Sequence, residues 1–309
     1  MLIAVVSVKG SPGVTTFCTA LAARWPDPVR TALVEADPSG GDIGIRFSME
    51  STPGLVSLAA AARRNEDPDL LWQQAQTLPG GLAVVSAPSD ADRARAALSA
   101  LAEADPPSGA SILRTAANTP GSVVIADCGR IDAGSAALPI VRCADVLILL
   151  TRAHADDLAH LARRLPVIGR WTPHPEMLLV GEGYSPTDVA RELGVRPLGR
   201  IPDDPRGAAV LCGRTARTSR WRRGGPTHSA LGQVAHKVAE AILARQAPAP
   251  VAPGQGRAED EPVPILRAVP GVPATAVAAG GLRLAPSPQQ PHPDAVPGGN
   301  GSSSGGQAS

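Results

Sequence analysis

Lysine is almost missing from this chain. Of its 29 basic residues only Lys9 and Lys237 are lysines, and the remainder are arginines. Heavy use of Ala, Arg, Gly and Pro has the look of a GC-rich coding bias, so a retained lysine carries more information than usual. Aromatic residues are as scarce, with two Phe, one Tyr and four Trp in 309 residues. That argues against a base-stacking platform for single-stranded nucleic acid. No charge sign dominates either: 29 basic residues face 28 acidic ones. A net charge near +1 gives no global attraction to nucleic acid or to an acidic membrane, so any basic surface must be local. The apolar runs, such as Val146 to Leu150, are far shorter than the roughly 20 residues that span a bilayer. The start, Met-Leu-Ile-Ala-Val-Val, has no basic region or cleavage site and does not read as a secretory signal. Cys18, Cys128, Cys143 and Cys212 share no CxxC spacing and read as small buried thiols in a reducing compartment. The expectation is a soluble, cytoplasmic protein.

What is present divides at about residue 246. From Ala247 to Ser309 there are 12 Pro and 10 Gly, no aromatic residue and a Gly/Ser-rich end. Such a segment cannot bury enough apolar surface to offset its ordering entropy, so 247–309 is expected to be a disordered tail. The part before it, 1–246, alternates short apolar runs with helical patterns. Leu2–Val8, Ala32–Glu35, Leu82–Ser86, Val123–Asp127, Val146–Leu150 and Met177–Val180 are rich in Val, Ile and Leu, with Pro197–Ile201 a weaker run. Lacking polar alternation, they suit strands buried on both faces of a parallel sheet. Helices are expected over Thr15–Arg24, Ala91–Ala104, Ala155–Arg164, Thr187–Leu193 and His228–Arg245. The last carries Leu231, Val234, Ala235, Val238, Ile242 and Leu243 on one stripe. Strand–helix alternation predicts an α/β fold, a mostly parallel doubly wound sheet with helices on both faces. Ligands of such sheets bind at the carboxyl ends of the strands.

Three strand ends carry the candidate chemistry. The first runs into Val8-Lys9-Gly10-Ser11-Pro12-Gly13-Val14-Thr15-Thr16 and then a helix. A strand, a Gly-containing turn and a helix N-terminus form an anion site from backbone N–H groups and the helix dipole. Thr15 can offer its hydroxyl to a nucleotide-bound Mg²⁺. The strict phosphate-loop pattern fails twice, with Val8 in place of its first Gly and Val14 in place of its Lys. The second end is Leu33-Val34-Glu35-Ala36-Asp37-Pro38, where Asp37 either orients water or a metal, or opens an Asp-Pro turn. The third is Val123-Val124-Ile125-Ala126-Asp127-Cys128-Gly129, where Asp127 either serves an outer-sphere Mg²⁺ or caps the next turn.

Together these segments resemble the deviant-Walker-A ATPases typified by MinD and ParA, whose loop reads K-G-G-x-G-K-T-T. The resemblance covers about residues 2–245 and implies a P-loop NTPase sheet binding ATP and Mg²⁺. It places Lys9 on the signature lysine, which reaches across a face-to-face homodimer to the partner's phosphates. Gly13 falls on the second loop glycine, Thr15 on the metal hydroxyl, Asp37 on the water-positioning aspartate and Asp127 on the Walker B aspartate. Gly10, Ser11, Val14 and Thr16 complete the phosphate loop. Leu198-Gly199-Arg200-Ile201-Pro202-Asp203 is similar to the family's G-x-I-P-x-D near adenine, which adds Pro202 and Asp203 to the nucleotide site.

The departures bear on activity. Val14 removes the cis lysine that pairs with the β- and γ-phosphates. Ser11 and Pro12 stiffen the loop, and Pro12 removes one N–H from it. Glu35 replaces the first Asp of the family's D-x-D, and Gly181-Glu182-Gly183 stands where relatives often place an adenine-contacting Asn. Arg130 and Arg152 either supply the missing charge or pair with Glu35, Asp37 or Asp42. Between Arg206 and Arg223 there are six arginines and no acid. Arg214, Arg217, Arg220, Arg222 and Arg223 form a basic stretch that is either a solvated loop or a surface for DNA phosphates, an acidic partner or a membrane. The tail lacks the apolar stripe of a MinD-style membrane anchor. The expected function is therefore an ATP-binding, dimerising switch with slow or residual hydrolysis, acting in positioning, partitioning or assembly. The alternatives are a catalytically inactive pseudo-ATPase resembling CpaE and TadZ, or a DNA-associated partitioning factor.

Overall fold

The computed structural model describes residues 1–26, 28–64, 67–103, 112–172, 175–214 and 226–246. The expected tail, and Arg217, Arg220, Arg222 and Arg223 of the basic stretch, lie outside the described residues.

Among the described residues, eight strands form one sheet: β1 (Leu2–Ser7), β2 (Arg30–Glu35), β3 (Gln76–Thr77), β4 (Ala83–Val85), β5 (Ser122–Arg130), β6 (Val146–Arg152), β7 (Pro175–Val180) and β8 (Gly199–Ile201). Their order is β3-β4-β2-β5-β1-β6-β7-β8. All neighbours are parallel except the short β3, which lies antiparallel to β4 at the edge. The apolar runs are strands because the central ones have no solvent face: every residue of β1 is buried.

The period-two alternation of side chains sorts these strands onto two cores. Leu2, Ala4, Val6, Ala32, Val34, Val124 and Ala126 face one side. That side is covered by α3 (Leu55–Ala62), α4 (Leu70–Gln73), α5 (Ala91–Glu103), α6 (Ile112–Asn118), α7 (Leu138–Cys143), α8 (Ala155–Ile168) and α9 (Pro186–Leu193). Ile3, Val5, Leu33, Ile125 and Ile148 face the other. There they meet α1 (Val14–Ala23), α2 (Ile43–Arg46), α10 (Pro205–Leu211) and α11 (Ala230–Gln246). Leu231, Ala235, Val238 and Ile242 of α11 are buried against the sheet, which is the stripe read from the sequence.

Several boundaries differ from expectation. Helix α8 continues past the expected Arg164 limit, through Pro166 to Ile168. His228 belongs to a separate 3₁₀ turn, Pro226–His228, and α11 starts at Ala230. Strand β5 runs three residues beyond Asp127, with a register irregularity between Val5 and Ser7 of β1.

The connections place the crevice. The chain leaves β1 and crosses β5 to form β2, while it leaves β5 and crosses β1 to form β6. Oppositely directed crossovers leave an opening beyond the carboxyl ends of β1 and β5, where the phosphate-loop segment lies.

Candidate nucleotide site

The loop after β1 turns through left-handed backbone at Gly10 (φ 66°) and Gly13 (φ 91°). Gly13 is the N-cap of α1, so the helix N-terminus opens on the cleft with no side chain capping it. A cleft of about 470 Å³ lies there, lined by Gly10, Ser11, Gly13, Val14, Thr15, Thr16, Asp37, Asp42, Arg46 and Arg130 among others. A second, more apolar cleft of about 360 Å³ shares Gly13 and Thr16 with it and extends past Phe17, Val180, Pro202 and Asp203. The phosphate-loop residues and the Pro202–Asp203 segment, far apart in sequence, thus meet at one helix terminus.

Sheet register converges the acids. Glu35 lies opposite Asp127 across β2 and β5, and Val5 opposite Asp127 across β1 and β5. In parallel pairing, residues in register point to the same face, here the one covered by α1. Asp127 is 1% exposed and accepts hydrogen bonds from the Thr15 hydroxyl and the Gly129 N–H. Burial pushes its carboxyl up to about 7; those two hydrogen bonds oppose the rise, while Glu35 and Asp37 add to it. Asp37 is half-buried and accepts the Ser39 N–H at 2.7 Å. Burial raises its pKa as well, with Asp42 adding to the shift and Arg130 opposing it. Gly129, at φ 58°, is pressed against the Asp37 carboxylate so closely that a Cβ there would overlap it.

These groups suit Mg²⁺. A hydroxyl bonded to a buried carboxylate, with a second carboxylate beside it, is a hard oxygen set whose excess negative charge a divalent cation would relieve. The backbone N–H groups of the loop suit phosphate oxygens.

Glu35 has a different task. It is 1% exposed, and its Oε1 accepts the Asp42 and Ile43 N–H groups, each at 2.8 Å, while Oε2 accepts the Ala87 N–H at 3.0 Å. It ties the N-terminus of α2 and the segment after β4 to the sheet, and burial still pushes its pKa up. Glu35 is thus a three-way clamp.

Val14 stands at the helix start but is buried. It lines the cleft, but it is 6% exposed and packed with Ile3, Val5 and Phe17. Asp127, read as the last residue of its strand, lies within β5, which runs on to Arg130, and is paired on both sides. Arg152, at the end of β6, is exposed and is not among the residues lining the cleft. Lys9 turns outward to Asp156 of α8, Nζ to Oδ2 3.0 Å. Arg130 does line the cleft, and so does Arg46, which sequence reasoning overlooked. Its only sequence signal is the four-residue spacing from Asp42, which puts both side chains on one helical face. Of the basic stretch, Arg214 is described and exposed.

No family model and no curated protein sequence matches the chain. Solved structures do. A ParA family ATPase from Chlorobium tepidum superposes with a TM-score of 0.59 at 16% identity, over 77% of this chain and 98% of that one. The septum site-determining protein MinD from Pyrococcus horikoshii, complexed with Mg-ADP, gives 0.55 at 15% identity, over 80% and 97%. Cobyrinic acid a,c-diamide synthase from Mycobacterium smegmatis, with a bound ATP analogue and magnesium, gives 0.52 at 18% identity, over 79% and 95%. The chain has the MinD/ParA-like P-loop ATPase fold.

Proposed function

We infer that the protein is an ATP- and Mg²⁺-binding switch that dimerises with nucleotide and hydrolyses it slowly. The observation that carries this reading is the contact of Thr15 with Asp127 beneath the phosphate loop, with Asp37 beside them. No ordinary capping interaction requires a hydroxyl, two carboxylates and a glycine-cornered helix terminus at one opening. Magnesium would screen the phosphates and hold their geometry when bound. Thr15 and Asp127 would hold it, Asp37 would orient water, and the amides of Gly10 to Thr16 other than Pro12 would face the phosphates. Pro202 and Asp203 would border the base in the adjoining cleft.

Lys9 fits a role in trans. Its ammonium points away from the cleft of its own chain, toward an exposed acid it could leave at little cost. The solved relatives of this fold include proteins named for septum placement and ParA proteins, which supports a role in positioning, partitioning or assembly.

A second reading, a pseudo-ATPase that uses its dimer surface without turnover, draws on Val14. A packed isopropyl group where relatives have a lysine contributes no charge to the transferring phosphoryl group. Calorimetric titration with ATP, with and without Mg²⁺, followed by sedimentation and a phosphate-release assay, separates the two. Tight Mg²⁺-dependent binding with slow release supports the switch, and binding without release supports the pseudo-ATPase. Absence of binding sinks both.

A further inference from the structure

We propose that Arg46 supplies in cis the positive charge that Val14 fails to supply, so that the phosphates are held by a guanidinium from α2 instead of an ammonium from α1. This rests on the nucleotide-binding reading of the cleft.

Few cations face the cleft. Lys9 is turned to Asp156, Val14 is apolar, and Arg152 is not among the lining residues. Among the described residues, the cleft has two cationic lining side chains, Arg46 and Arg130. Arg130 is exposed and its field acts on Asp37, the side where attacking water would stand. Arg46 is more enclosed, with its side chain 26% exposed, and comes from the wall facing the phosphate loop.

The base of Arg46 is fixed from three directions. Glu35 holds the backbone N–H groups of Asp42 and Ile43. The Ile43 side chain is 1% exposed in the core beneath α1. At the other end, the Arg46 carbonyl packs against Gly213, where a Cβ would collide with it. A guanidinium on so firmly seated a turn can swing without moving its backbone.

Its present partner is easily exchanged. Arg46 Nη2 lies 2.7 Å from Asp42 Oδ2, but that carboxylate is 62% exposed and sits four residues back, at the N-cap of the same short helix. Exposed pairs of this kind are weak. A polyphosphate offers more charge and a bidentate geometry matched to the guanidinium. In a chain with two lysines among 29 basic residues, the longer planar arginine side chain has to enter from a wall with room for it. The start of α1, where position 14 is packed, has none.

The test is titration of the full chain, with Mg²⁺, by ATP and by AMP, which lacks the β- and γ-phosphates. Arg46→Ala should weaken ATP binding by about 10- to 100-fold, the range for a lost hydrogen bond to a charged group, and leave AMP binding unchanged. Arg46→Lys should recover part of the loss. ATP affinity within about twofold of the unaltered protein in Arg46→Ala, with an unchanged thermal transition, would overturn the assignment while leaving the nucleotide reading intact. Equal losses for ATP and AMP would overturn it too, since they would mark a collapsed site. An unaltered protein that binds no ATP would overturn the nucleotide reading and this inference with it.

Discussion

Replacing Asp127 by asparagine should stabilise the unliganded protein at neutral pH while it disables the site. The cause is linkage between proton binding and folding. The carboxyl of Asp127 rises from 3.8 to about 7 on folding, chiefly through burial, with Glu35 and Asp37 adding to the rise. A group whose folded pKa is raised contributes stability that is complete below its unfolded value and is lost as pH rises through the folded one. The window here runs from 3.8 to about 7. At about 1.4 kcal/mol per unit, the full effect is on the order of 4 kcal/mol, of which roughly 2 kcal/mol falls between pH 5 and pH 7. An asparagine side chain at this position would be an uncharged near-isostere and would not incur this loss. Thermal melts should therefore show the unaltered protein falling relative to Asp127→Asn by roughly 4–8 °C over that interval. The slope would not vanish in the variant, because Glu35 and Asp37 are also raised by burial. Magnesium would reverse the advantage, since a cation held by Asp127 would compete with the proton there. Mg²⁺-ATP affinity should rise with pH through about 7 in the unaltered protein and stay flat and weak in the variant. Parallel stability slopes for the two proteins would refute the buried-charge argument, and equal Mg²⁺-ATP affinities would refute the metal role.

Glu35→Ala would leave three N–H groups without an acceptor, two of them buried, at a cost of about 2–4 kcal/mol, and should lower the melting temperature and release α2. A melting temperature within about 2 °C of the unaltered protein would count against the clamp. Gly129→Ala places a Cβ against the Asp37 carboxylate at a left-handed backbone position; phosphate release should fall at least tenfold while ATP affinity changes little. A variant with full turnover would show that Asp37 need not hold this position. Deleting Ala247–Ser309 should leave the thermal transition nearly unchanged, because the two cores are closed by elements ending at Gln246; a drop of many degrees would show that the segment docks. If the basic stretch binds DNA, changing Arg220, Arg222 and Arg223 to Ala should weaken retention of all sequences alike and flatten its salt dependence. Failure of the intact protein to retain DNA at low salt would remove that reading.

The sequence alone determined the class of fold and the candidate anion site, because both are written in local patterns. Runs such as Ile3–Val6 and Val146–Leu150 can only be strands without a solvent face, and α11 shows its buried stripe in its spacing. A glycine-bearing turn between strand and helix needs no distant partner to be legible. Short elements were not legible: the four-residue α2 has too few positions for a period, and its place comes from Glu35 and Gly213. Only the tertiary structure decided how the charges are shared. Sheet register set Glu35 beside Asp127, and their common burial raised both carboxyls. Core packing turned Val14 from an apparent gap at the cleft into a wall of the interior. The connection that passes from β1 over β5 to β2 brought Arg46, which follows β2, to the cleft beside the phosphate loop, far along the chain from Val14. Which side chains share a cleft depends on strand order and register, and those are settled by pairing between distant segments that no local pattern records.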